Sequence, residues 1–222
     1  MIAERVKNNY SLQCNELNLN NNLFHQVHDL TRIMGWVQNL RLDYNLIENV
    51  YPLFVPSNNL NVLSLKGNRI RHLDMESYTI NWLTYFRLTG NPGDFVLECN
   101  AQLMDLRFNG LQSHQLAPKK ILTAILLLDY NLLVDLQFLS AKPYLNKLKS
   151  LSCSHNLIRT INDDFFASAI NIEKLDLSYN RIDRIPNGFL SSKHTVSHVN
   201  LSFNMITAVH LTDFHNMLGL QD

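Results

Sequence analysis

The 222-residue chain reads as a solenoid in which short strands stack side by side into one parallel sheet over a shared apolar core. Three observations predict this. A pattern of the form LxxLxLxxNxLxxL recurs nine times along the chain. Each copy carries LxL alternation, the period of a half-buried strand whose leucines point in and whose intervening residues point out. The chain also holds 28 asparagines against seven glycines. Asparagine is poor in helices and strands, so that abundance implies assigned positions.

Counting position 1 as the residue eight before the repeated asparagine, the copies begin CNELNLNNN at Cys14, VQNLRLDYN at Val37, LNVLSLKGN at Leu60, LTYFRLTGN at Leu83, AQLMDLRFN at Ala101, TAILLLDYN at Thr123, LKSLSCSHN at Leu148, IEKLDLSYN at Ile172 and VSHVNLSFN at Val196. The asparagines at position 9 are Asn22, Asn45, Asn68, Asn91, Asn109, Asn131, Asn156, Asn180 and Asn204. Their spacings run 23, 23, 23, 18, 22, 25, 24 and 24 residues. A single strand cannot bury its apolar face, but stacked copies can. Each asparagine follows its strand, where the chain turns and backbone groups lose ladder partners. An amide that donates and accepts can satisfy those groups from copy to copy, so these nine are expected to be structural.

Composition narrows the function. Lysine plus arginine (19) equals aspartate plus glutamate (19), which argues against a nucleic-acid partner, since phosphate binding needs a basic surplus. No apolar run is long enough to span a membrane. Three cysteines cannot all pair internally and are too few for a disulfide-dense domain. Cys14 and Cys153 fall in leucine columns and are expected to pack as small hydrophobes, while Cys99 lies on the opposite side of the array from the strands.

The nine in-register copies resemble the leucine-rich repeat family over about residues 14–222. The resemblance implies an α/β leucine-rich repeat solenoid, a horseshoe with parallel strands on its concave face and loops, turns or short helices on the convex one. The last three full copies resemble the extracellular subclass of about 24 residues. Its mark is a phenylalanine nine residues after the asparagine, here Phe54, Phe165 and Phe189, and Pro186 in RIPNGF fits as well. Thr31, Ser77 and Ser140 depart from that column. The division expected is a partial N-terminal cap or flank over 1–13, the array over 14–219, and the start of a truncated tenth copy at 220–222. On this reading the chain is a fragment of a longer protein.

The fourth copy is followed by the shortest step and carries Asn91-Pro92-Gly93, strong turn chemistry. A shortened convex side there is expected to alter the local curvature, either as a kink beside a binding site or as simple repeat degeneration.

No GxG cluster, GxxxxGK[ST], GxSxG or HExxH motif occurs, and no cofactor or catalytic residue is assigned. The pairs His25/His28 and His194/His198 lack a predictable third ligand, so no metal is expected. Two N-x-[ST] sequons, at Asn9 and Asn200, are no more than an asparagine-rich chain supplies by chance. In a secreted protein, a glycan on Asn200 would cover that end of the concave face.

The concave face is the expected working surface. Position 3 runs Glu16, Asn39, Val62, Tyr85, Leu103, Ile125, Ser150, Lys174 and His198, apolar in the middle and polar at the flanks. Leu127 at position 5 extends the apolar strip, and Arg41, Arg87 and Arg107 lie beside it with Asp105 and Asp129 as counter-charges. Position 8 carries an aromatic in five of nine copies. An apolar centre with an arginine-containing rim is the anatomy of a protein interface. The expected ligand-binding residues are therefore Val62, Tyr85, Arg87, Leu103, Arg107, Phe108, Ile125, Leu127 and Tyr130, facing a protein ligand. A homo- or hetero-dimer is compatible with such a surface. The resemblance points to an extracellular or cell-surface receptor, adhesion or innate-immune protein. The alternatives are a cytoplasmic scaffold or adaptor, favoured by unpaired cysteines, and an array appended to a catalytic region.

Overall fold

The computed structural model describes residues 14–53, 60–74, 83–92, 94–96, 98–99, 101–113, 120–121, 123–137, 143–161, 170–186, 189 and 195–210. The expectations for 1–13, for 220–222, and for Asn9, Phe54, Ser77, Ser140, Phe165 and His194 lie outside them. Within the described residues there are thirteen strands: β1 (Cys14–Asn18), β2 (Val37–Arg41), β3 (Val62–Ser64), β4 (His72–Asp74), β5 (Tyr85–Arg87), β6 (Asp94–Val96), β7 (Glu98–Cys99), β8 (Leu103–Asp105), β9 (Lys120–Ile121), β10 (Ile125–Leu127), β11 (Ser150–Ser152), β12 (Lys174–Asp176) and β13 (His198–Asn200).

Nine of these, one per copy, form a single sheet in the order β1-β2-β3-β5-β8-β10-β11-β12-β13. Every pairing is parallel and joins equivalent positions, as in Val62↔Tyr85, Tyr85↔Leu103 and Leu103↔Ile125. The chain is a parallel-sheet solenoid, and its sheet spans roughly 40 Å at the usual strand spacing. The connections on the other side contain 3₁₀ turns at His28–Ile33, Tyr51–Leu53 and Pro143–Lys147. No α-helix occurs among the described residues.

The core lies where the pattern placed the leucines. In the second copy Val37, Leu40, Leu42, Ile47 and Val50 are all buried, and the columns continue through Leu63, Phe86, Met104, Leu126, Leu151 and Leu175. Phe189 of the phenylalanine column is buried as well. Thr123 is a polar substitute in the first leucine column. It is buried, and its hydroxyl donates to the carbonyl of Gln102, so the site carries no orphan group. Cys153 is buried and free. Burial, then the charges of Asp129 and Asp176, push its thiol well above the ordinary range. Cys14 departs from expectation: it is exposed, and its thiol donates to the carbonyl of Glu16. It belongs to β1, which ends the sheet, so the described residues place no earlier copy over it.

The short step after copy four leaves the sheet register unbroken, because β5 pairs directly with β8. The irregularity is taken up on the other side, where β4 pairs with β6 and β7 with β9 as two small parallel ladders. Parallel pairing there gives the backbone groups of these four short strands ladder partners on the side away from the main sheet.

Candidate functional site

The position-9 asparagines make the turn after each strand rigid. The side-chain amide of Asn68 donates to the carbonyls of Leu42 (2.8 Å) and Leu65 (3.0 Å), one in the preceding copy and one in its own. Its Oδ1 accepts from the backbone N–H of Ile47 (3.1 Å). Asn45, Asn91, Asn131, Asn156, Asn180 and Asn204 repeat this arrangement. Asn109, across the short step, instead accepts from the N–H of Asn91 at 2.6 Å and donates to Leu106. Asn22, in the end copy, is exposed and donates to Leu19 and Asn20.

Beside this row lies a feature that column reading alone did not show. All nine residues at position 8 have a left-handed backbone, φ between 52° and 71°. Glycine enters that region freely, whereas other residues give up roughly 1 kcal/mol. Gly67 and Gly90 supply glycine, but Asn21, Tyr44, Phe108, Tyr130, His155, Tyr179 and Phe203 do not. In the first eight copies the N–H of this residue donates to the position-7 carbonyl of the next copy, as in Tyr44 N to Lys66 O (2.7 Å) and Tyr130 N to Ser154 O (3.0 Å). Stacking helps offset the cost. Phe108, Tyr130, His155, Tyr179 and Phe203 form a continuous face-to-face stack with centroids 4.1–4.3 Å apart and planes within 8–12° of parallel. An aromatic pair contributes about 0.5–1.5 kcal/mol. The signal in the sequence was the pair of glycines in a column otherwise held mainly by rings. A column that accepts both is one that demands positive φ.

The nine expected ligand-binding residues fall into bands. Val62, Tyr85, Leu103 and Ile125 are consecutive partners in one row, all at least partly exposed, with Asn39 and Ser150 at its two ends. Leu127 sits in the next outward row beside Asp105 and across from Ser152. Phe108 and Tyr130 stand apart from this strip, in the turns beyond the ends of their strands, where they stack on one another.

Between the bands runs a polar row. Asp43 accepts from the hydroxyl of Ser64 (2.6 Å) and the N–H of Lys66 (2.9 Å). Asp129 accepts from the hydroxyls of Ser152 and Ser154 and from the N–H of Ser154. Asp129 is thus mainly a backbone and hydroxyl acceptor rather than an arginine's counter-ion. Asp105 does pair with Arg107, in a two-pronged contact with Nε and Nη2 each at 2.8 Å. Burial alone would raise the Asp105 carboxyl. The two hydrogen bonds and the charge of Arg107 outweigh it and hold the group below the ordinary carboxylate range. Arg41 is held by Glu16 at 2.7 Å, and Arg87 is exposed.

Copies seven to nine present a different surface. A shallow concavity there is lined by Ser150, Ser152, Lys174, Asp176, His198 and Asn200 among others. The amide of Asn200 donates to Asp176 (3.3 Å), and its Oδ1 accepts from Ser202. Among the described residues, no three His, Cys, Asp or Glu side chains converge on one point, and no helix is long and apolar enough to cross a membrane.

Comparison with known proteins agrees with this architecture. The family model for the Leucine Rich Repeat matches residues 171–192. No curated protein sequence matches the chain. Among solved structures, a leucine-rich repeat protein of Leptospira interrogans superposes with a TM-score of 0.67 at 22% identity, covering 91% of this chain and 53% of that one. The TLR13 chain of a complex with single-stranded RNA gives a TM-score of 0.70 at 21% identity, covering 88% of this chain and 29% of its own. Toll, from the Toll–Spatzle complex of Drosophila, gives 0.63 at 20% identity, with 92% and 34% covered. This chain therefore spans about half the Leptospira protein and about a third of the two receptor chains. Nine registered copies, a buried asparagine row and these likenesses show that the chain has the leucine-rich repeat fold, and its eighth copy matches that family's model.

Proposed function

We propose that this chain is a non-enzymatic recognition module that binds a protein ligand on its concave face through copies three to six. The observation that carries this is the unbroken apolar row Val62–Tyr85–Leu103–Ile125 on the outward side of the sheet. These side chains lie on the face that the leucine core does not use, so their apolarity has no role in the core. Arg87 and Arg107 beside them give the row a polar rim. Such a surface binds by shape and a few buried anchors.

An extracellular receptor, adhesion or innate-immune context is the reading that the phenylalanine column and the likeness to Toll and TLR13 support. A reduced intracellular scaffold is the second reading, favoured by the free thiols of Cys14 and Cys153.

The test is selection from a random-peptide display library on the wild-type chain, with depletion on Leu103→Asp. Enriched peptides should lose at least about tenfold in affinity to Leu103→Asp, while its thermal melt stays close to wild type. Enrichment that ignores Leu103→Asp would contradict the proposal, as would collapse of the variant's fold.

A further inference from the structure

The position-8 column is a stack with rungs missing. From copy five to copy nine every rung is a ring. Copies three and four have Gly67 and Gly90 in the same left-handed conformation. On one side of the gap stands Phe108, the last ring of the stack, whose far face has no ring in the next rung. On the other side stands Tyr44, whose ring lies down over Gly67: a methyl group added there would meet its Cδ1 at 2.7 Å. The Gly90 rung is open. A methyl group added to it would meet only backbone atoms of Gly67, at 3.7 Å. Both walls are exposed aromatics, Phe108 by 52% and Tyr44 by 49%.

We propose that this gap is a slot for one aromatic side chain of an acidic segment in the protein ligand. The proposal rests on the reading of copies three to six as the binding region and adds what that ligand must carry. A planar ring seated over Gly90 would continue the stack from Phe108 at the spacing the other rungs keep. The glycine floor lets a partner's backbone or ring approach closely. Charge selects the flanks of that ring. Lys66, whose Nζ lies 5.1 Å from the Tyr44 ring centroid, and Arg87, three residues before Gly90 in the same copy, are both exposed. The carboxylates of this region, Asp43 and Asp105, are buried and already committed, Asp43 to the Ser64 hydroxyl and the backbone N–H of Lys66 and Asp105 to Arg107. The outward charge around the slot is therefore positive, which complements aspartate and glutamate beside the inserted ring.

The test is an NMR titration of the chain, labelled at phenylalanine and tyrosine rings, with a synthetic peptide of aspartates and glutamates around one tryptophan. Ring-current shifts are expected at Phe108 and Tyr44. Binding should weaken at least about tenfold when leucine replaces the tryptophan, or when Gly90→Phe fills the rung. Gly90→Ala, which leaves the slot open, should retain binding and shows that the backbone at this position tolerates a side chain. Unchanged binding in Gly90→Phe, or equal binding by the leucine peptide, would overturn the proposal. A single-stranded oligonucleotide that binds in a Gly90-dependent way while the acidic peptide does not would assign the slot to a base and overturn it too. The two readings fail separately. Display-selected peptides that depend on Leu103 but not on Gly90→Phe sink the slot alone, whereas independence from Leu103 sinks the reading beneath it.

Discussion

Copies three to six and copies seven to nine share one backbone and differ in what they turn outward. Both halves pair in the same parallel register, bury the same leucine columns and turn through the same asparagine. In row 3, the first half presents Val62, Tyr85, Leu103 and Ile125, and the second presents Ser150, Lys174 and His198. Positions that face the core have no freedom, because each must fill the same volume as its neighbours above and below. Outward positions are free to differ, so a difference there carries information about binding. The second half keeps its polar groups occupied among themselves, through Asn200 to Asp176 and Ser197 to His198.

If the halves are equal as scaffolds, the largest effects must be the same in both. Asn131→Ala should cost roughly 2–3 kcal/mol in urea unfolding, by stranding the buried N–H groups of Asn109 and Leu111, while the carbonyls of Leu106 and Leu128 each keep one donor, in Asn109 and Asn156. Asn156→Ala in the polar half should cost a comparable roughly 1–3 kcal/mol, since it strands the N–H of Leu133 and takes one of two donors from the carbonyls of Leu128 and Cys153. Markedly unequal costs would show that the two halves are not one scaffold.

A smaller effect sharpens the contrast within the position-8 column. Gly67→Ala must displace the Tyr44 ring as well as hold a positive φ, whereas Gly90→Ala meets only ordinary contact. Gly90→Ala should cost about 1 kcal/mol and Gly67→Ala clearly more. Equal losses in thermal unfolding would mean that Tyr44 does not lie over Gly67.

The smallest expected effect is a pH dependence within the apolar half. Asp105 has a folded-state carboxyl held below its unfolded value, so its contribution to stability is present above the unfolded pKa and is lost as pH falls through the folded one. Removing its main partner in Arg107→Ala should lower stability at neutral pH and narrow the gap to wild type as the solution is acidified through the carboxylate range. Stability curves measured against pH check this, and a gap that stays constant down to strong acid would contradict the ion pair's role. The effect is modest because Arg107 is partly exposed.

The repeat, its strands and its core were legible because they depend on residue type at fixed spacing. Leu40, Leu63 and Leu126 read as inward from alternation alone, and the asparagine row read as structural because an amide at a turn has few other uses. Three features were not legible. The backbone at Tyr44 and Tyr130 is left-handed, which neither side chain announces and only the glycines elsewhere in their column betray. Asp129 serves Ser152 and Ser154 of the next copy, a partnership between copies that a reading of one copy's charges does not show. Cys14 is exposed because it stands in the end strand, and a column assignment assumes neighbours on both sides. The candidate surface was only partly legible: the row from Val62 to Ile125 is contiguous, while Phe108 and Tyr130 belong to a separate aromatic band.

The most direct measurement compares two residues that sit side by side across the boundary, Ile125 and Ser150, which are register partners. Ile125→Asp and Ser150→Asp place the same charge on adjacent strands of one row, with stability changes of about 1 kcal/mol or less expected at outward positions. Affinities of library-selected peptides for the two variants are then compared. Ile125→Asp should lose at least about tenfold while Ser150→Asp stays near wild type. Equal losses, or a loss confined to Ser150→Asp, would contradict the assignment of binding to the apolar half.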